Sequence, residues 1–135
     1  FLLTYGDGVT DLDINKLLKY HKSHGKIGTV TGVHPPSQYG ELTINKDQVL
    51  SFDEKQKKQN GSINGGYFVF NRKIFRYLKD DDACIFEREP LEKLASDGEL
   101  KVFQHQGFWQ CMDTNRDYKY LNEVWGKGDA PWKVW

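Results

Sequence analysis

The sequence predicts an α/β protein with a mixed, partly parallel sheet. β-branched and aromatic runs alternate with segments whose apolar residues recur at helical spacing, and glycines, prolines or polar clusters separate them. The chain begins with a strand at Phe1–Tyr5, continues with a helix that starts near residue 11, and reaches a second strand at Ile27–Val33. This order predicts a βαβ unit, in which a right-handed crossover joins two paired parallel strands.

Bulk properties exclude several classes of protein. With 135 residues, the chain is long enough for one domain with a modest core. Its 19 basic and 19 acidic residues balance, which argues against recognition of nucleic acid or of a membrane surface by bulk charge. Apolar runs are too short to span a bilayer, and no signal segment is present. Cys84 and Cys111 have neither metal-site nor disulfide-framework spacing. We therefore expect a soluble, cytoplasmic protein.

The helix of the βαβ unit is predicted from its apolar spacing and its ends. Residues 14–21 carry the i, i+3, i+4, i+7 pattern of one buried helix face. Thr10 or Asp11 is the predicted N-cap, since a side-chain oxygen there can accept a backbone N–H. Gly25 is the predicted C-cap, because glycine tolerates the left-handed conformation.

The rest of the chain predicts a hairpin followed by further strands and helices. The runs ELTIN and VLSF flank the polar turn Lys46–Asp47, which is typical of a hairpin. The remaining predicted elements are a strand in SINGGYFVFN, short helices in NRKIFRYL and EPLEKLASDG, a strand in ELKVFQH, and a helix at Asn115–Trp125. Pro90 suits the first turn of its helix.

Two aspartates are candidate metal ligands. Asp7 follows a strand and precedes a helix, where a carboxylate can hold Mg²⁺ together with substrate phosphates. The residues alone favour the other interpretation, a turn residue in an Asp-Gly pair. Asp113 is either a second such carboxylate or a support for the helix N-terminus that follows, since TNRD resembles a capping box. Spacing alone does not show that the two aspartates meet.

Two further segments are candidate binding elements. Lys55 suits a phosphate contact as a point charge, whereas spacing alone favours placing Glu54 and Lys55 in the solvated charge run that follows. In Asn64–Phe68, paired glycines inside a strand-forming run indicate either a β-bulge or a close approach of ligand to backbone. The Asn64 amide suits a sugar hydroxyl. The four histidines lack metal spacing and are predicted to be surface or helix-face residues.

Taken together, six segments of the sequence resemble the glucose-1-phosphate cytidylyltransferases, a branch of the sugar-phosphate nucleotidyltransferase superfamily. These segments are LLTYGDGVTD, FDEK, INGGYFVF, FEREPLEKLASDGEL, HQGFWQCMDTNRD and APWKVW. The motifs occur in order along residues 1–135. The resemblance implies a Rossmann-like nucleotidyltransferase fold of which this chain is the C-terminal, sugar-phosphate-binding portion. The N-terminal nucleotide-binding portion is expected to be missing, since the family's glycine-rich loop with its arginine and lysine has no counterpart here.

The resemblance also implies a reaction. CTP and α-D-glucose 1-phosphate would give CDP-glucose and pyrophosphate by Mg²⁺-assisted in-line attack, supplying dideoxysugars of surface polysaccharide such as O-antigen. Asp7 and Asp113 would be the Mg²⁺ ligands, Lys55 would bind the sugar phosphate and Glu54 the sugar hydroxyls. The implied backbone and wall of the sugar pocket are Gly40, Asn64, Gly65, Gly66 and Tyr67. The family also implies a homo-oligomer, with the aromatic C-terminal tail as a docking arm.

Two departures from the family pattern and two alternatives remain. Gln56 and Cys111 stand where the family commonly has proline, which changes the local stiffness of both loops. One alternative is a nucleotidyltransferase that uses another base or hexose phosphate. The other is a truncated, non-catalytic chain that binds sugar phosphate or assists assembly.

Overall fold

The computed structural model describes residues 1–35, 41–45, 48–53 and 62–135, with only the backbone for 41–45 and 48–53. Eight strands and three α-helices lie in these ranges. The strands are β1 (Leu2–Thr4), β2 (Gly8–Thr10), β3 (Gly28–Val33), β4 (Glu41–Asn45), β5 (Gln48–Asp53), β6 (Ile63–Phe70), β7 (Leu100–Gln104) and β8 (Trp109–Cys111). The helices are α1 (Ile14–His24), α2 (Glu89–Ser96) and α3 (Asn115–Gly126), and a short 3₁₀ helix spans Arg72–Arg76.

The main sheet of the described chain has the strand order β1-β6-β3-β7. β6 pairs antiparallel with β1 and β3, and β3 pairs parallel with β7. The α/β class and the mixed, partly parallel sheet are therefore confirmed. The predicted pairing of the first two strands is wrong, because β6 lies between them. Its second half is buried on both faces, which favours a central position with a partner on each edge.

Two smaller ladders complete the described strands. β4 and β5 form the predicted antiparallel hairpin, whose turn lies outside the described residues. β2 and β8 pair antiparallel, although neither is predicted as a strand from the sequence. Each is three residues long, too short for an alternating pattern to be recognised in the sequence.

Helix α1 begins two or three residues later than predicted. Asp13 is its N-cap and accepts the Lys16 backbone N–H at 3.0 Å, while Gly25 ends it as predicted, at φ 67°. Thr10 and Asp11 have other partners. The Thr10 hydroxyl donates to the Phe108 carbonyl at 2.7 Å, and an Asp11 carboxylate oxygen lies 2.9 Å from Nε2 of His105. The surface prediction for His105 is therefore wrong, since its side chain is only 11% exposed.

Two clusters of buried apolar side chains stabilise the sheet. The first contains Phe68, Phe70, Ile74 and Leu94, and the second contains Leu12, Leu17 and Val69. The Phe86 ring meets the rings of Phe68 and Phe70 edge-on, at centroid distances of 6.0 and 5.6 Å. Edge-to-face contacts of this kind add to the free energy gained by burial. The clusters lie around the second half of β6.

The C-terminal elements carry the predicted capping signals. Pro90 lies in the first turn of α2. Thr114 and Asp117 form a reciprocal capping box at the start of α3, which confirms that interpretation of TNRD.

Part of the aromatic tail packs on its own chain, because the Trp132 ring stacks against those of Phe108 and Trp125. Within the described residues, no helix combines the length and the apolar character that crossing a membrane requires.

Candidate functional site

The two candidate metal ligands lie on neighbouring strand ends. Gly8 is paired with Cys111 in the β2–β8 ladder, and the Met112 backbone N–H donates to the Asp7 carbonyl at 2.8 Å. Asp7 is therefore opposite Met112, one residue from Asp113, and both aspartates are exposed. Residues from opposite ends of the chain thus meet at one edge, which their spacing in the sequence does not show.

Two tyrosines line the Asp7 side of this edge. The Tyr67 hydroxyl donates to the Gly8 carbonyl at 2.7 Å and so ties β6 to β2. Burial raises the pKa of Tyr67, and the negative charge of Asp7 acts in the same direction. Burial, followed by the hydrogen bond to Glu87, raises the pKa of Tyr5 to about 12. Both phenols therefore remain protonated at neutral pH, and their O–H groups are donated within the chain, to the Gly8 carbonyl and to Glu87.

Asp113 has a thiol as its neighbour. Burial raises the pKa of Cys111 to about 11, and the hydrogen bond to Asp113 adds to the shift. The thiol is therefore protonated at neutral pH and is not a nucleophile. The capping function belongs to Asp117, whose pKa is lowered first by its hydrogen bond from Thr114. Asp113 precedes this capping box, so its carboxylate is not required as the helix cap.

The paired glycines of β6 form the predicted bulge. The register between β3 and β6 shifts there, since Val30 pairs with Phe68 but Gly32 pairs with Asn64. Gly66 has φ 75°, a conformation that L-residues rarely adopt. A Cβ on Gly65 would lie 2.7 Å from a Val33 methyl carbon. The bulge interpretation is confirmed, and a ligand role for this backbone stays a prediction.

Hydrogen bonds from distant elements connect the bulge to the segments that lead to the two aspartates. Nε1 of Trp109 donates to the Gly65 carbonyl at 2.8 Å, and the Tyr5 backbone N–H donates to the Gly66 carbonyl at 2.9 Å. Because Trp109 is also the first residue of β8, it joins the strand that leads to Asp113 to the bulge of β6. Three segments of the candidate site are therefore connected directly.

Asn64 belongs to a chain of polar side chains at the surface. Its Oδ1 accepts the Gly66 backbone N–H at 2.9 Å, and its Nδ2 donates to the Tyr5 hydroxyl oxygen at 3.2 Å. The Tyr5 hydroxyl in turn donates to Glu87. Sequence reasoning missed Tyr5, Glu87 and Trp109 as site residues. The segments FEREP and GFWQ, already part of the family resemblance, were the signals that could have identified the last two.

The remaining predicted site residues cannot be placed. Gly40, Glu54, Lys55 and Gln56 lie outside the described residues, so their roles stay predictions. Within the described ranges, no three or more His, Cys, Asp and Glu side chains are grouped to hold a metal ion. Two exposed carboxylates at one strand edge do not suit a structural zinc site. They do suit Mg²⁺, which commonly takes one or two protein carboxylates and completes its shell with substrate phosphates and water.

Comparisons with known proteins agree on one family. The family model described as nucleotidyl transferase matches residues 1–123. The glucose-1-phosphate cytidylyltransferases of Salmonella typhimurium and Salmonella typhi are each 53% identical over the whole chain, and the chain covers 52% of each of them. The catalytic subunit beta of a mannose-1-phosphate guanylyltransferase from Dictyostelium discoideum is 34% identical, over 94% of this chain and 38% of that protein.

A solved structure supports the fold. HddC from Yersinia pseudotuberculosis is 27% identical with a TM-score of 0.64, covering 93% of this chain and 55% of that one. The chain thus spans about half the length of the Salmonella relatives and of this structure. The resemblance stated from the motifs is confirmed.

Proposed function

The chain belongs to the nucleotidyl transferase family, and on that premise we propose that the protein carrying it is a glucose-1-phosphate cytidylyltransferase. Whole-chain identity of 53% to the Salmonella cytidylyltransferases supports the choice of CTP and glucose 1-phosphate as substrates. One structural observation supports the mechanism: the β2–β8 ladder brings Asp7 opposite Met112, one residue from Asp113, and Trp109 of β8 is hydrogen-bonded to the β6 bulge. The product would be CDP-glucose, a precursor for dideoxysugars of surface polysaccharide such as O-antigen.

The proposed reaction is an in-line displacement at phosphorus. A phosphate oxygen of glucose 1-phosphate attacks the α-phosphorus of CTP, a new P–O bond forms, and the bond to the β-phosphate oxygen breaks to release pyrophosphate. Alignment and neutralisation of charge contribute most to the rate of such reactions. Asp7 and Asp113 would hold Mg²⁺, which when bound would supply positive charge to offset the negative charge of the nucleotide phosphates.

The other residues of this chain would bind and orient the sugar phosphate. Lys55 would pair with the phosphate as a cation, and Glu54 would accept hydrogen bonds from sugar hydroxyls. Gly40 and the bulge at Gly65 and Gly66 would offer backbone groups, because a glycine allows close approach. Asn64 and Tyr67 would form the polar wall of the sugar pocket, in which the Asn64 amide supplies the donor because the Tyr67 proton is given to the Gly8 carbonyl.

Pyrophosphate release by the full-length protein tests this proposal. We expect turnover with CTP, glucose 1-phosphate and Mg²⁺, and much slower turnover with dTTP, UTP or GTP. Equal or faster turnover with another nucleotide would reject the base assignment and favour the alternative of a different base. Absence of turnover with every nucleotide would favour a non-catalytic chain.

Substitution of the carboxylates tests the metal pair. Asp7→Asn and Asp113→Asn should each reduce kcat/KM on the order of 1,000-fold, about 4 kcal/mol of lost transition-state stabilisation. The matched control is Asp13→Asn, the same change in the same stretch of chain, since asparagine is an equally good N-cap for α1. Near-normal rates in either aspartate variant would reject the pair, and so would an equal loss in the control.

A further inference from the structure

Glu87 lies outside the predicted site, yet it ends a chain of hydrogen bonds that begins at the sugar-pocket wall. The chain runs from the Gly66 backbone N–H through the Asn64 amide and the Tyr5 hydroxyl to the Glu87 carboxylate. Its members come from three segments, and Tyr5 and Glu87 are 82 positions apart. Asn64 and Glu87 are exposed, so the chain lies on the surface that faces ligand in the proposed function.

The carboxylate fixes the direction of every hydrogen bond in this chain. A carboxylate only accepts, so the hydroxyl proton of Tyr5 must point to Glu87. The Tyr5 oxygen is then an acceptor, and Asn64 must turn its NH₂ group towards it. The backbone N–H of Gly66 only donates, which places Oδ1 of Asn64 on the opposite side. Both ends of the chain therefore require the same orientation of the Asn64 amide.

Glu87 itself is held by its neighbours. The adjacent Phe86 packs edge-on against Phe68 and Phe70 in the buried cluster. The Leu91 backbone N–H donates to the Phe86 carbonyl at 3.3 Å, and the Arg88 N–H donates to the Ile85 carbonyl at 3.1 Å. These contacts anchor the turn before α2, so the position of the exposed carboxylate is set by the core.

We propose that Glu87 and Tyr5 are positioning residues for Asn64, which fix the order in which its amide presents donor and acceptor to a sugar hydroxyl. The inference rests on the proposed function, in which Asn64 contacts the sugar. One N–H and one lone pair of the amide are not used by this chain of hydrogen bonds. Sugar hydroxyls both donate and accept, so what the chain contributes is an amide that is already oriented when the sugar binds. The ligand is the sugar phosphate of the proposed function, and the chain of hydrogen bonds would contribute to its affinity.

The test replaces the carboxylate by an amide in the full-length protein. Glu87→Gln can donate to Tyr5, which frees the Tyr5 proton to turn and removes one of the two constraints on the Asn64 amide, while the Gly66 N–H retains the other. We expect KM for glucose 1-phosphate to rise about five- to tenfold, the equivalent of one ordinary hydrogen bond, with kcat and KM for the nucleotide within about twofold. Glu89→Gln is the matched control, because Glu89 lies two residues away and pairs with Lys79 at the surface.

A double-mutant cycle with Asn64→Ala separates positioning from direct contact. If Glu87 acts through Asn64, Glu87→Gln should add nothing to the KM of the Asn64→Ala variant. Additive effects would mean that Glu87 contacts the sugar itself and would overturn the inference. An unchanged KM in Glu87→Gln, or an equal rise in Glu89→Gln, would overturn it as well.

Failure of the inference can be told from failure of the proposed function. Normal CTP-dependent turnover with an unaffected KM in Glu87→Gln rejects the inference alone. Turnover with a different nucleotide rejects the base assignment, and the KM comparison is then made with that nucleotide. No turnover with any nucleotide rejects both.

Discussion

The two halves of β6 differ in what holds them. From Phe68 to Phe70 the side chains are at most 2% exposed and pack into the two apolar clusters. From Asn64 to Gly66 the strand bulges and receives hydrogen bonds from Trp109 and Tyr5. One strand therefore supplies both the centre of the core and a wall of the candidate site.

The difference shows how stability and function are divided along one element. The position of the apolar half is fixed on all sides, since it pairs with a strand on each edge and is buried on both faces. In the bulged half, the buried glycines let Val33 and Tyr5 pack directly against the backbone, and the exposed Asn64 amide can meet a ligand. Substitutions in the first half should change the free energy of unfolding, and those in the second should change substrate affinity.

The largest effect on stability is expected for Phe68→Ala. Removing this buried ring should lower the free energy of unfolding by about 3–5 kcal/mol, because it deletes apolar contacts and leaves a cavity. The matched control is Phe75→Ala, whose ring is 60% exposed and should cost less than about 1 kcal/mol. Chemical denaturation followed by circular dichroism measures both. Similar costs for the two variants would contradict the division along β6.

Local patterns in the sequence identified both halves of β6, but not what they contact. The apolar run predicted a buried strand and the glycine pair predicted a bulge. The approach of Asp7 to Met112, the residue before Asp113, depends on β2 and β8, which are three residues long and pair only through tertiary structure. The bond from Tyr5 to Glu87 likewise joins distant segments, for which a single sequence holds no local signal.

The N-cap of α1 shows a second limit of sequence reasoning. Thr10, Asp11 and Asp13 all have side chains that can cap a helix. Asp13 is the N-cap because the other two side chains have partners in the loop before β8. The Thr10 hydroxyl donates to the Phe108 carbonyl, and the Asp11 carboxylate lies against the His105 ring. Propensity alone could not rank these residues, since competing tertiary partners decided between them.

An intermediate effect is expected for Gly66→Ala in the bulged half. The residue has φ 75°, and a Cβ there would lie 2.8 Å from Cδ2 of Tyr5. The left-handed conformation costs an alanine about 1–2 kcal/mol, and the displaced Tyr5 should also raise KM for the sugar phosphate. Gly98→Ala separates the two causes, because Gly98 has φ 68° but no atom within 4 Å of the point that a Cβ would occupy.

Both glycine variants should lose stability, measured as the free energy of unfolding, and Gly66→Ala should lose more. Only Gly66→Ala should alter KM for the sugar phosphate, since only its Cβ displaces a member of the hydrogen-bond chain to Glu87. An equal change of KM in Gly98→Ala would contradict the assignment of the bulge to the site.

The smallest effect is expected from pH, and it concerns the sheet rather than the site. Thr29 of β3 is fully buried, and its hydroxyl lies 2.8 Å from Nδ1 of His21 and 2.7 Å from Nε2 of His24. Nδ1 of His24 accepts the Lys26 backbone N–H at 3.0 Å, so its Nε2–H donates to Thr29. The Thr29 hydroxyl then donates to Nδ1 of His21. Both imidazoles are neutral in this arrangement.

Acid should weaken this contact between α1 and β3. Burial lowers the pKa of His21 and of His24, and the neighbouring charge of Lys101 adds to the shift of His24. The folded pKa values of both histidines lie below the unfolded value of about 6.5. At a pH between the folded and unfolded values, the unfolded chain therefore binds more protons than the folded chain. The stabilisation is therefore complete above about pH 6.5 and declines below it.

The double variant His21→Gln/His24→Gln should lose less stability than the wild type between about pH 7.5 and about pH 5.5, whereas the exposed His34→Gln should behave as the wild type. An identical pH dependence in all three proteins would show that these imidazoles are not what couples α1 to the sheet.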